Sequence, residues 1–423
     1  MGTWKRAERL LAFVLLLVVA GGPVFAAHQV SNRLAHSTSA YLRAARYQPV
    51  HWYEWGAEAF QKAQELDRPI LLDIGAIWCH WCHVMDRETY ESPEIARLIN
   101  QHFLPIKVDR DARPDIDRRY QKVIVALTGR GGWPLTLFLT PQGEVIFGGT
   151  YFPPQARLGK PGMQELLPKI ATLYRERKAE LLQHVREFHQ TLSRYQQQSV
   201  VPGALDPRLI TPVLEDMEQR FEPIHGGFDP GPKFPRTAAV ELALLAYDRD
   251  PQNRVLLHMV TKTLQSMARG GIFDQIGGGF HRYVTDAAWL VPHFEKLLNL
   301  NAELLRNYLH AYQATGEPLF KEVALSTFRY VQETLSRQGG GFYASQDADM
   351  HPQDDGRYYT WTGQELLDAL PPEEAPLLLR YFDIPPTGQD RYVLAARTQP
   401  RVIAQHLSLP LSEVQHRLVQ GKS

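Results

Sequence analysis

A chain of 423 residues is too long for one ordinary core and predicts two domains of about 150 residues or more. Its 46 basic residues balance 46 acidic ones, and no basic stripe interleaves with aromatics, so nucleic acid is excluded as the expected partner.

Lys5, Arg6 and Arg9 precede the apolar run 10–20, and Gly21, Gly22, Pro23 and Val24-Phe25-Ala26-Ala27 follow it. Charged, then apolar, then small residues is the order of a secretory signal, with cleavage expected after Ala26 or Ala27. The run is shorter than the roughly 20 residues that span a bilayer. Residues 1–27 are therefore expected to be a signal peptide or, uncleaved, a signal anchor, the one route to a membrane. The remainder is expected to be exported, to the periplasm if the source is bacterial.

Residues 28–50 are polar and irregular and are expected to wrap the first domain. From 54 onward Trp55, Ala59, Phe60 and Ala63 share one face at helical spacing, predicting a helix that ends near Asp67. Pro69-Ile70-Leu71-Leu72-Asp73-Ile74 reads as a short buried strand, and Cys79 opens a helix to about Tyr90. Ser92-Pro93-Glu94 combines an N-cap, a first-turn proline and an acid, starting a helix to His102. A strand at 103–108, a helix at 115–127, a loop at 129–133 and strands at 135–139 and 144–147 complete the order αβααβαββ, an α/β sandwich with mixed pairing at its end. A charged helical stretch follows over 163–198, and Ser199-Val200-Val201-Pro202-Gly203 marks a boundary. Beyond it helices alternate with glycine-rich loops such as Gly226-Gly227-Phe228 and Gly278-Gly279-Phe280, with no convincing strands, which suggests repeated helix hairpins. The expected division is 28–160 for the α/β domain, 161–205 for a helical connector and 206–423 for an all-α domain.

The two cysteines, Cys79 and Cys82, sit three apart in Trp78-Cys79-His80-Trp81-Cys82. Closing so short a loop stabilises by only about 2 kcal/mol, against nearly 5 for a long one, so reactivity explains the pair better than stapling. At a strand-to-helix junction, free N–H groups and the helix dipole lower the first thiol's pKa from about 8.5 toward 7 or below. Cys79 is thus the expected attacking thiol and Cys82 the resolving one. Asp73 on the preceding strand is a candidate proton carrier. Pro134, after Gly132-Trp133, is a candidate cis proline that holds extended substrate beside the sulfurs, Trp133 and Trp78 are candidate substrate contacts with it, and Trp78 and Trp81 add apolar cover. A metal is not expected. Cys79, His80, Cys82 and His83 cannot readily all face one tetrahedral ion from a single helix, and no second Cys-x-x-Cys completes a site.

The run from Pro69 to Cys82, with Gly132-Trp133-Pro134 and the turn at Gly143, resembles thioredoxin, whose nucleophile, resolving cysteine, buried acid and cis proline match Cys79, Cys82, Asp73 and Pro134. A closer resemblance is to the thioredoxin-domain proteins related to spermatogenesis-associated protein 20, also called the DUF255 family. It rests on Pro49-Val50-His51-Trp52-Tyr53, Trp78-Cys79-His80-Trp81-Cys82-His83-Val84-Met85, Val108-Asp109-Arg110, Gly131-Gly132-Trp133-Pro134 and Gly149-Thr150-Tyr151-Phe152-Pro153. It continues through Pro232-Lys233-Phe234-Pro235, Gly278-Gly279-Phe280-His281-Arg282-Tyr283, Val291-Pro292-His293-Phe294-Glu295-Lys296 and Ala344-Ser345-Gln346-Asp347-Ala348-Asp349. The resemblance implies an α/β thioredoxin-like domain followed by an all-α domain resembling part of an α/α-toroid of the kind seen in sugar epimerases and glycosidases. A ring of six helix pairs needs on the order of 350 residues, so residues 206–423 are expected to form an incomplete one.

His281, His293, Glu295, Asp347 and Asp349 lie beside glycine-rich loops, where a toroid would place pocket residues. Their first reading is capping and hydrogen bonding in turns, and their second is acid–base work on a sugar. Tyr358, Tyr359 and Trp361 likewise read first as core packing and second as a stacking surface for a sugar ring. The leading expectation is an exported thiol-disulfide oxidoreductase with no cofactor beyond its redox-active disulfide. Its partners would be protein thiols or disulfides and a redox partner protein. The alternatives are a carbohydrate-active isomerase or hydrolase acting on a glycan, with an accessory thioredoxin-like domain, and a non-catalytic binding module.

Overall fold

The computed structural model describes residues 31–157, 159–198, 206–351, 354 and 356–421. They fall into two compact units. One holds the chain up to Ile74 with Asp86–Gly131 and Leu135–Val185. The other holds Gly75–Met85, Gly132–Pro134 and Arg186–Ser423. The expected signal segment 1–27 and the boundary motif 199–203 lie outside the described residues. No described helix is long and apolar enough to cross a membrane.

The first unit is built on a sheet of strands β1 (Tyr53–Glu54), β2 (Ile70–Gly75), β3 (Leu104–Asp109), β4 (Leu135–Leu139) and β5 (Val145–Gly149), in the spatial order β1-β3-β2-β4-β5. β1 runs parallel to β3, whereas β4 pairs antiparallel with both β2 and β5. This is the thioredoxin-like α/β arrangement. β2 is buried at all six positions, which is why it reads as a continuous apolar run rather than an alternating one.

The helix predicted from Ser92 has the expected bounds, Pro93–His102, with the Ser92 side chain accepting the Ile95 N–H. Three expectations along this stretch are corrected. The segment 28–50, expected to be irregular, folds from residue 33 into short helical turns at Arg33–His36, Ala40–Ala44 and Ala45–Tyr47. Its polar residues serve the segment itself. The Asn32 amide donates to the carbonyls of Ala45 and Gln48, and Ser39 caps Ala40–Ala44 while its hydroxyl donates to Asp109 at 2.6 Å. The helix expected to run unbroken from Cys79 to Tyr90 is an α-helix over His80–Met85 followed by a wider π-type turn, Asp86–Tyr90. That turn delivers Asp86 and Tyr90 to a buried cluster described below. The stretch 163–198 also divides, at Arg177, into Met163–Glu176 and Lys178–Gln198.

In the second unit, helices Thr237–Arg249, Arg254–Arg269, Leu298–Thr315 and Pro318–Tyr330 close on one apolar core that includes Leu264, Met267, Phe280, Trp289, Tyr308 and Phe320. A second core gathers Leu366, Leu378, Phe382, Ile403 and Val414 from helices between Gly363 and Gln420. The expectation of no strands is corrected by three two-residue ladders: Tyr283–Val284 with Pro292–His293, Lys296–Leu297 with Ser345–Gln346, and Thr360–Trp361 with Tyr392–Val393. Pairs this short show no period-two pattern in sequence. Gly279, at φ +74°, is required by space as well as by dihedral, since a Cβ there would lie 2.4 Å from the Tyr330 ring.

Candidate thiol-disulfide site

Asp73 and Lys107, on neighbouring strands of the first unit, form a fully buried ion pair with Nζ 2.7 Å from the carboxylate. Lys107 also reaches Asp86 at 2.9 Å. The hydroxyls of Tyr41 and Tyr90 each donate to Asp73 at 3.2 Å, and the ammonium lies 4.6 Å from the Tyr41 ring centroid. Burial pushes the Asp73 carboxyl up, and Lys107 only partly offsets that, while Asp73 and Asp86 together hold Lys107 above its ordinary value. Burial next to Asp73 also raises both tyrosines well above theirs. A carboxyl disposed this way keeps a proton more readily than a surface one.

The cysteine turn belongs to the second unit. Cys79 and Cys82 are joined as a disulfide, and both are buried, at 3% and 1% exposure. Cys79 stands just ahead of His80–Met85, and its sulfur accepts the backbone N–H of Cys82 at 3.2 Å. An N–H aimed at that sulfur favours the thiolate on it after reduction. Trp78 is buried and meets Trp133 edge to face, whereas Trp81 is 42% exposed. The Trp133–Pro134 peptide is cis.

Both histidines of the motif meet carboxylates from one loop. His80 Nδ1 lies 2.9 and 3.0 Å from the two carboxylate oxygens of Asp349. His83 Nε2 lies 2.6 Å from the Ile77 carbonyl and 3.2 Å from Asp347. Arg282 spreads over Trp78, Trp133 and Tyr283, with centroids 5.1, 5.8 and 4.6 Å away, and donates to Glu295 at 2.6 Å. Glu295 is buried, and its second oxygen has no partner among the described residues. His293 stacks on Tyr283, and burial holds it below the ordinary histidine value.

Of the five residues expected as a pocket, Asp349 and Asp347 meet the histidines of the cysteine motif and Glu295 meets Arg282. Only His281 of the five lines the cavity of about 200 Å³ bounded also by Phe273, Asp274, Tyr358, Tyr359 and Trp361. His281 is buried, with Nδ1 2.7 Å from the Phe294 carbonyl, and burial beside Lys296 takes it down to about 3, so it stays neutral. Among the described residues no group of three or more His, Cys, Asp or Glu side chains is placed to hold a metal ion.

Residues 31–193 match the family described as "Protein of unknown function, DUF255", a thioredoxin-type model. Human spermatogenesis-associated protein 20 is 38% identical over 358 residues, which cover 81% of this chain and 45% of that protein. The chain belongs to the DUF255 family. It spans about half the length, 44% to 51%, of the four relatives that are 35% or more identical to it. Among solved structures it is similar to a DsbH oxidoreductase, at 20% identity and a TM-score of 0.23 over 30% of this chain and 85% of that one. It is also similar to cellobiose 2-epimerase from Spirochaeta thermophila, at 20% identity and a TM-score of 0.30 over 52% of this chain and 55% of that one. The matched part, residues 31–193, is a thioredoxin-like module of the thiol-disulfide oxidoreductase type.

Sequence reasoning passed over Lys107 and Arg282, and it did not foresee that Asp347 and Asp349 meet the histidines of the cysteine motif. Lys107 left a readable signal, a lone cation inside the apolar strand Leu104–Asp109. The contacts of Asp347 and Asp349 with the motif histidines join residues more than 260 positions apart in sequence and leave none.

Proposed function

We propose that the chain is an exported thiol-disulfide oxidoreductase that exchanges two electrons with protein substrates through Cys79 and Cys82. The observation that carries this reading is the Cys79–Cys82 disulfide with the Cys82 N–H directed at the Cys79 sulfur. In the reducing direction, the Cys79 thiolate attacks a substrate disulfide and one substrate sulfur leaves as a thiolate. Cys82 then attacks the Cys79 sulfur, releasing the second substrate thiolate and restoring the intramolecular disulfide. Two electrons pass to the substrate, and a dithiol partner protein returns them. Pro134 and Trp133 flank the substrate backbone and Trp78 supports them. No cofactor beyond the disulfide takes part. The test is Cys82→Ser, which traps substrates as mixed disulfides with Cys79. If no adducts form, and wild-type protein neither reduces nor oxidises a test disulfide, the proposal fails.

A second reading draws on the cavity beside His281. Tyr358, Tyr359 and Trp361 offer ring faces, and the Tyr359 hydroxyl is buried without a partner among the described residues. A neutral imidazole beside such rings suits a small polyhydroxylated ligand. Glycan turnover or binding that survives loss of both cysteines would favour it.

A further inference from the structure

We infer that Asp349 is a positioning residue for the thiol chemistry, orienting His80 as the group that takes and returns the proton of Cys79. The inference rests on the oxidoreductase reading and deepens it. His80 lies between the two sulfurs in sequence, and its Nδ1 is centred on the Asp349 carboxylate at 2.9 and 3.0 Å. The Asp349 side chain is 6% exposed and that of His80 is 29% exposed, so the pair is shielded on the carboxylate side and reachable on the ring side. A carboxylate that accepts Nδ1–H fixes the tautomer and leaves Nε2 with a lone pair. This is the orienting arrangement of a nucleophile, a base and an acid. Nε2 of His80 has no hydrogen-bond partner among the described residues.

The backbone that carries Asp349 is anchored independently of His80. Ser345–Gln346 ladders with Lys296–Leu297, Gln346 accepts from the Tyr330 hydroxyl at 3.0 Å, and the Asp349 N–H donates to Asp347 at 3.2 Å. The next residue, Met350, donates its N–H to Asp354, whose carboxylate also accepts from Gly356 and Arg357. The other charged and titratable groups around the pair are His293, which repels a charge on His80, the Asp347–His83 contact one turn along, and the mutually paired Arg282 and Glu295.

The step balances as follows. The Cys79 thiol gives its proton to His80 Nε2, and the thiolate attacks a substrate disulfide sulfur. The substrate S–S bond breaks as the Cys79–substrate bond forms. The leaving substrate thiolate then takes the proton from His80, whose positive charge Asp349 offsets in the interval.

The experiment measures iodoacetamide alkylation of Cys79 against pH in reduced full-length Cys82→Ser protein, together with glutathione redox equilibria of the two-cysteine forms. Asp349→Asn is expected to slow alkylation near neutral pH by about tenfold, below the usual range of base catalysis because a thiol depends on it least. It should move the profile to higher pH, with His80→Gln giving the same change, the double variant no further change and Asp349→Glu partial rescue. A profile within twofold of wild type in both single variants overturns the inference, as does additivity in the double variant. Failure of Cys79 and Cys82 to exchange with glutathione in wild-type protein would instead overturn the oxidoreductase reading.

Discussion

Replacing Lys107 by Met tests the buried charge cluster. The substitution keeps most of the side chain's volume and leaves Asp73 at 1% exposure, with two tyrosine hydroxyls and no cation. Removing one partner of a buried pair costs about 3–5 kcal/mol, a large share of a domain stability of about 5–15 kcal/mol. The cost depends on pH in a definite sense. The folded Asp73 carboxyl already lies above its ordinary value, and losing Lys107, which pulls it down, raises it further. Such a group binds more protons folded than unfolded. Its contribution is therefore most favourable below the unfolded value of about 3.9 and is lost as pH rises through the folded value. The deficit of the variant relative to wild type should be largest near neutrality and shrink in mild acid. Denaturant-dependent hydrogen exchange of amides in Ile70–Gly75 and Leu104–Asp109 reads the opening free energy of these strands alone. Asp73→Asn combined with Lys107→Met removes the fully buried pair and should recover part of the loss, the remainder being Asp86 left at 13% exposure without its cation. A single-variant cost below about 1 kcal/mol, the range of ordinary surface changes, or a deficit that does not change with pH would refute the reasoning.

Arg282→Ala leaves the Glu295 carboxylate buried and unpaired and strips the cation from two tryptophan faces. A loss of about 3–5 kcal/mol in the second unit is expected, with a shift in tryptophan emission, and Glu295→Gln in the same chain should relieve part of it. Gly279→Ala drives a Cβ into the Tyr330 ring and should cost more than about 2 kcal/mol in thermal denaturation. Gly340→Ala, at φ +100° in open space, should cost only the backbone strain of about 1 kcal/mol. Cys79→Ser should abolish both exchange with glutathione and formation of mixed disulfides in the Cys82→Ser background, since no other cysteine is present in the chain.

What the sequence determined by itself is local or contiguous. The cap at Ser92 closes a helix through bonds to its own first turn, and β2 and β4 declare themselves as apolar runs because both faces are covered. The spacing of Cys79 and Cys82 is chemistry within one turn of chain. The folding of 33–47 was hidden because its polar residues bond inward, to carbonyls that only the folded segment presents. The two-residue ladders were hidden because a pairing so short has no periodicity. Tertiary structure alone decided where the charges meet. Asp73 found Lys107 across the sheet, and Asp347 and Asp349, which read as turn acids, found the histidines beside the cysteines. Sequence determines which residues can titrate, but the distances that turn them into pairs are set by packing between segments that have no local reason to meet.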